Sequence, residues 1–320
     1  MRMGIVLAVG GAALLLAAGG LFMLQPPTIA AEVLASRYGG PPSQFLKLAA
    51  GTVARYQDFP ADEGPAVEAL VLLHGGAMSL ESWTPWIARL RGTRRIIAID
   101  LPGHGLTGVT DENDYGVEAM AAFVRVVIDA LGLRGGLVVA GHSMGGHVAW
   151  RFALRYPSLV RKLGLVAPGG LAAPGGPQAQ AIKLASLPGG SWVLRLAVSR
   201  ARLAEGLKQV FHDPALVTDE MIERNWTMSR RAGSMDATIA RLQAPSFEPA
   251  AVARLGDLKM PLLLLWGKDD VVFPISLARA ITQAVPSARL VAYEGCGHFP
   301  HEERPDETTR ELRLFLQRDE

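Results

Sequence analysis

The chain has one cysteine in 320 residues, Cys296. It can close no disulfide within the chain, and a zinc site built on several thiolates lacks its ligands. An excess of charge of one sign is missing too: 32 Lys and Arg against 30 Asp and Glu leave a net +2. With no basic stripe in any segment, nothing electrostatic calls for nucleic acid. No internal repeat occurs. The glycines form no G-x-G-x-x-G turn of the dinucleotide-binding kind and no metal motif is present, so neither cofactor nor metal is expected. Charged residues are scarce, 19% against 49% hydrophobic, which suits a globular protein with a substantial buried core.

One long run carries no charge at all, MGIVLAVGGAALLLAAGGLFML from Met3 to Leu24. It reaches the roughly 20 residues that cross a bilayer as a helix. Arg2 and the amino terminus precede it. The expectation is a single-pass transmembrane anchor over 1–24 with the body on the extracytoplasmic side. The rival is a signal peptide cleaved after Thr28-Ile29-Ala30, giving a secreted body, but the run exceeds the roughly 7–15 apolar residues of a signal. Residues 25–43, with two Pro-Pro pairs and a Gly-Gly, read as a spacer.

From there strand and helix patterns alternate. A leading hairpin is expected over Phe45 to Phe59. EALVLLHGG, RRIIAIDLPGHG, GLVVAGHS, VRKLGLVAPGG, MPLLLLWGKDD and ARLVAYEGCGH read as strands. Helical spacing lies between them, as in Val117, Met120, Val124, Val127 and Leu131 before Gly132. Such alternation with near-continuous apolar strands predicts an α/β fold, a mostly parallel sheet with helices on both faces. The core occupies 44–169 and 258–320. Residues 170–257 interrupt it with no obvious strand, and a helical cap is expected there, over the strand ends where open α/β sheets bind ligands.

Gly141-His142-Ser143-Met144-Gly145 matches G-x-S-x-G between a predicted strand and a predicted helix, the context that gives this motif its meaning. The turn is sharp, glycines relieve crowding at its flanks, and the hydroxyl of Ser143 projects towards free N–H groups at a helix start. A serine is a weak nucleophile without a base and an orienting acid. The chain order for this turn is serine, acid, histidine. His298 follows the last strand in a glycine-loosened loop. His301 reads as a surface or helix-start histidine. Asp269 and Asp270 end the strand LLLLWG, and neighbours cannot both face His298. Asp100 precedes the serine and reads as a structural acceptor for turn amides.

These segments together resemble the α/β-hydrolase fold superfamily, in its Ser-His-Asp, esterase- and lipase-like branch with a helical cap. LLHGG resembles the oxyanion-loop motif, DLPGHGLT the D-x-x-G-x-G-x-S/T turn, GHSMGG the nucleophile elbow, WGKDDVVFP the G-x-x-D motif, and GCGHFPHEERP the G-H-x-P-x-x-E-x-P ending. The resemblance implies Ser143 as nucleophile, His298 as base and then acid, and Asp270 as its orienting partner. It implies an oxyanion hole from the backbone N–H groups of Gly76 and Met144. His74 and His104 more often shape loops. The implied activity is hydrolysis of carboxylic esters with small apolar acyl groups through an acyl-enzyme. Trp192, Leu194, Leu196, Val210, Phe211, Met221, Trp226 and Met228 of the cap are candidates to line the pocket.

Other branches remain open. A serine at the elbow argues against dehalogenases and epoxide hydrolases, which use aspartate. Carbon–carbon hydrolases of aromatic degradation typically follow the catalytic histidine with tryptophan, where this chain has Phe299. Cofactor-free haloperoxidase-like enzymes and acyltransferases share the triad. A membrane-tethered binding protein is the non-enzymatic alternative.

Overall fold

A computed structural model describes residues 26–48, 51–62, 68–110, 113–172 and 177–317. The apolar run expected to anchor the chain lies outside them. Among the described residues no helix is long and apolar enough to cross a membrane.

Continuous apolar segments form the middle of one eight-stranded sheet. β3 (Leu70–Leu73), β4 (Ile96–Ile99), β5 (Leu137–His142) and β7 (Leu262–Gly267) are buried at every position, as strands covered on both faces require. With β1 (Ser43–Lys47), β2 (Val53–Phe59), β6 (Val160–Val166) and β8 (Arg289–Tyr293) the order is β1-β2-β4-β3-β5-β6-β7-β8. β3 to β8 run parallel, and the β1–β2 hairpin is added antiparallel to β4. One face is covered by the helices Val117–Ala130, Met144–Arg155 and Ser276–Ala284, the other by Thr84–Leu90 and Pro305–Gln317.

Between β6 and β7 the chain is helical, with Pro177–Ala185, Gly190–Ala197, Arg200–Val210, Asp219–Ser229, Ser234–Gln243 and Pro249–Val252. The segment read as a spacer is more than free chain. Ala31–Tyr38 is a helix, and its Leu34 is buried with Leu106 and Met228. Ile29 N–H donates to Arg230 O, and Arg230 Nε to Pro27 O. Eight residues make a marginal helix alone, so this docking supplies its stability.

Buried polar groups tie the layers together. Arg55, inside β2, donates to Asp100 (3.1 Å), Glu81 (2.5 Å), Ser43 Oγ (2.8 Å) and Tyr38 O (3.0 Å). Asp100 also accepts the N–H groups of Leu80 and Leu106, the structural role read for it. His74 accepts from Leu101 N–H at Nε2 and donates from Nδ1 to Gly75 O, and His104 donates to Pro102 O. Both shape loops. His301 opens a helical turn, Pro300–Glu303, but it is no surface residue: it is fully buried between Trp83 and His142. Glu302 and Glu303 beside it are acidic, a setting that suits solvent. Yet their carboxylates are sheltered too.

Two outcomes are expected. Arg55→Met leaves buried carboxylates unpaired and should lower unfolding free energy by about 3–5 kcal/mol in urea titration. Burial pushes His104, His147 and His301 down to about 3, and His142 well below its ordinary value. Their contribution is complete above roughly pH 6.5 and is lost as pH falls, because the unfolded chain takes up the protons. Glu302, pushed up to about 8 by burial, acts oppositely, contributing fully below roughly pH 4.5 and losing its share as pH rises. Histidines outnumber it, so the Tm should fall steadily between pH 6.5 and 4.5.

Candidate active site

Ser143 sits between β5 and the helix Met144–Arg155 with φ 51° and ψ −116°, a strained conformation for a non-glycine residue. The flanking glycines show why the turn exists only with this sequence. A Cβ at Gly141 would overlap the carbonyl of Gly145, and one at Gly145 the carbonyls of Leu73 and His74. Backbone fixes the serine from both sides: its N–H donates to Val166 O, and its carbonyl accepts from His147 and Gly169. Met144 is the first helical residue, so its N–H has no intrahelical acceptor. Gly76 faces it across the turn after β3, where a side chain at 76 would meet Met144 Sδ at 3.8 Å.

His298 and Asp270 come from the loops after β8 and β7. His298 Nδ1 donates to Asp270 Oδ2 at 2.8 Å, both side chains being buried. That bond leaves Nε2 as the basic ring nitrogen. Asp270 Oδ1 accepts the N–H groups of Val272 and Phe273, each at 2.8 Å, so the carboxylate is fixed in place. Asp269 turns away and pairs with His212 at 3.1 Å, with both side chains half exposed. His142, one residue before the serine, donates from Nε2 to His298 O at 2.8 Å, and the two rings pack 4.8 Å apart. The structure thus brings the loop of His298 against the turn of Ser143.

Glu303 holds the histidine loop to the cap. Its carboxylate accepts from Gly297 (3.0 and 3.1 Å), Phe299 (3.1 Å) and His212 (2.8 Å), while His298 N–H donates to Val210 O at 2.8 Å. Phe299 stacks on Phe211 of the cap at 4.7 Å.

A narrow cleft, partly open to solvent, adjoins the turn. Its walls include Val117, Met120, Met144, His147, Phe273 and Arg241. None of the eight cap residues expected to line a pocket borders it. Phe211, Trp226 and Met228 are buried in packing contacts and Trp192 is exposed, because an apolar cap must first cover its own core. The residue sequence reasoning missed is Arg241. It lies in the last turn of Ser234–Gln243, where an arginine ordinarily meets solvent, and the sequence offers no signal of its inward course. Its Nε is enclosed without a hydrogen-bond partner, and burial alone pushes the guanidinium down to about 10.

Comparison with known proteins places this geometry. Residues 68–305 match the family model described as alpha/beta hydrolase fold. The chain is 30% identical over 267 residues to a 2-hydroxy-6-oxononadienedioate/2-hydroxy-6-oxononatrienedioate hydrolase of Burkholderia vietnamiensis, spanning 80% of this chain and 90% of that protein. It is 27% identical over 287 residues to a 2-hydroxy-6-oxo-6-phenylhexa-2,4-dienoate hydrolase of Comamonas testosteroni, spanning 87% and 97%. Among solved structures, a membrane phospholipase A described as a bacterial virulence factor matches with TM-score 0.72 at 26% identity, covering 99% of this chain and 98% of that one. On the parallel sheet, the strained serine turn and a family match over most of its length, the chain belongs to the alpha/beta hydrolase fold family.

Proposed function

We propose that the chain is a serine hydrolase that cleaves an acyl group from its substrate through an acyl-enzyme on Ser143. The observation that carries this reading is the buried His298–Asp270 pair held against the strained Ser143 turn. His298 Nε2 takes the proton of Ser143 Oγ as the oxygen attacks the substrate carbonyl. The N–H groups of Gly76 and Met144 stabilise the oxyanion, each worth about 2.7–4 kcal/mol in comparable sites. The proton then passes to the leaving group, and water attacks the acyl-enzyme with His298 again as base.

Two bonds fit this chemistry. The relatives named as dienoate hydrolases favour a carbon–carbon bond beside a ketone in a dienoate. This puts the carbon–carbon reading ahead of the ester reading that the motifs suggest. The ester reading has its own support: the likeness to a membrane phospholipase A over nearly the whole chain, and the uncharged run 3–24 that would hold the enzyme at a bilayer. Phe299 in place of tryptophan also suits it.

Ser143 should take a fluorophosphonate adduct, located by mass spectrometry, and Ser143→Ala should abolish it together with turnover. Asp270→Asn should cut kcat by about 10⁴ through the wrong histidine tautomer, with Asp269→Asn nearly silent. Comparing kcat/KM for 2-hydroxy-6-oxo-6-phenylhexa-2,4-dienoate with 4-nitrophenyl esters of graded length separates the readings: faster dienoate cleavage supports the carbon–carbon bond, faster ester cleavage the alternative.

The anchor over 1–24 is a separate proposal, resting on the sequence alone. The full-length chain should stay in the membrane fraction after alkali extraction. Recovery of a soluble form starting near Ala31 would replace the anchor with a cleaved signal.

A further inference from the structure

Arg241 stands apart from the other arginines near the site. Arg151 pairs with Glu118 and Glu248, and Arg231 donates to Thr107 O. Arg241 has neither a hydrogen bond nor an ion pair among the described residues, and its Nε is shut away from solvent. The charged residue nearest in effect is His104, which burial keeps neutral at ordinary pH. The guanidinium reaches the oxyanion side of the turn: a side chain at Gly76 would meet Arg241 Cζ and Nη2 at 3.7 Å. The same side chain borders the cleft with Met144, Gly169 and Phe273. Gly169 bonds to Ser143 O and Phe273 packs its edge on the His298 ring, so the cleft touches both halves of the machinery.

Arg241 is half-buried, and an unpaired cation partly withdrawn from water is costly, so proteins compensate such a charge with an anion. Among the described residues none pairs with it. A planar fork with five donors is matched to a carboxylate, which it can hold bidentately. We propose that Arg241 is the receptor for a carboxylate carried by the substrate, bound in the cleft beside the oxyanion amides, so that the enzyme prefers anionic substrates over neutral ones of the same shape. This rests on the acyl-enzyme reading of Ser143. Arg241 acts as a specificity-determining residue, and the triad chemistry proceeds without it.

The test uses the full chain and two pairs of activated esters. One pair places the charge on the acyl side, 4-nitrophenyl hydrogen glutarate against 4-nitrophenyl hexanoate. The other places it on the leaving group, 4-acetoxybenzoate against 4-tolyl acetate. In at least one pair the wild type should favour the anion by roughly ten- to hundredfold in kcat/KM, the range of one charge-assisted pair. Arg241→Met should bring that ratio near one, and Arg241→Lys should retain part of it. Equal treatment of both members of each pair, or a preference that survives Arg241→Met, overturns the proposal. Fluorophosphonate labelling of Ser143, which needs no anion, tells this failure from a failure of the acyl-enzyme itself. Should Arg241→Met not fold, the wild type still decides. Glutarate must slow labelling of Ser143 more than glutaramide does, and equal effects of the two refute the carboxylate site.

Discussion

The site depends on three backbone segments meeting where no side chain intervenes. The end of β3, the end of β5 and the first turn of the helix Met144–Arg155 converge at Gly141 and Gly145, where a Cβ would strike backbone, while one at Gly75 would strike the His142 ring. That contact forces Ser143 into its strained conformation and aims the helix start at the place where its hydroxyl emerges. It also sets Gly76 close to Met144, where a side chain at 76 would meet the Met144 sulfur. The cost of the strain is met by the parallel sheet around it, whose central strands are buried throughout and leave the turn no way to relax.

Much of this was readable from the chain. Parallel strands covered on both faces must be apolar along their length, so LVLL, IIAI and LLLLWG declare themselves without alternation. The serine turn was legible because its requirement is local: glycines at fixed positions between a strand and a helix. Asp270 could be preferred to Asp269 only by resemblance, and the physical reason appears in the fold. Asp270 Oδ1 accepts the Val272 and Phe273 amides, which turns its other oxygen to His298.

What the sequence hid depends on contacts between distant segments. Arg241 ends a helix, where a cation ordinarily belongs on the surface. Only the approach of the helix Ser234–Gln243 to Gly76 makes it an inward charge. The helix Ala31–Tyr38 sits between Pro- and Gly-rich flanks that read as spacer, and its stability comes from Leu106 and Met228 far along the chain. His301 is flanked by acidic residues that suggest solvent, yet it closes against Trp83 and His142. The cap's apolar residues could not be divided between packing and pocket by pattern alone. Covering the core claims several of them, and the cleft is walled instead by Val117, Met120 and Phe273.

Glu303 gives the cap a mechanical asymmetry. One carboxylate gathers amides from both the histidine loop and the cap, at Gly297, Phe299 and His212, while His298 N–H itself bonds to Val210 O. Swinging the cap away at this edge would drag His298 out of register with Asp270. This edge of the cap is therefore tied to the histidine loop. The cleft that reaches solvent is lined elsewhere, by Arg241, Pro245 and Phe273. Any molecule in that cleft lies beside a guanidinium and the turn of Ser143 at once.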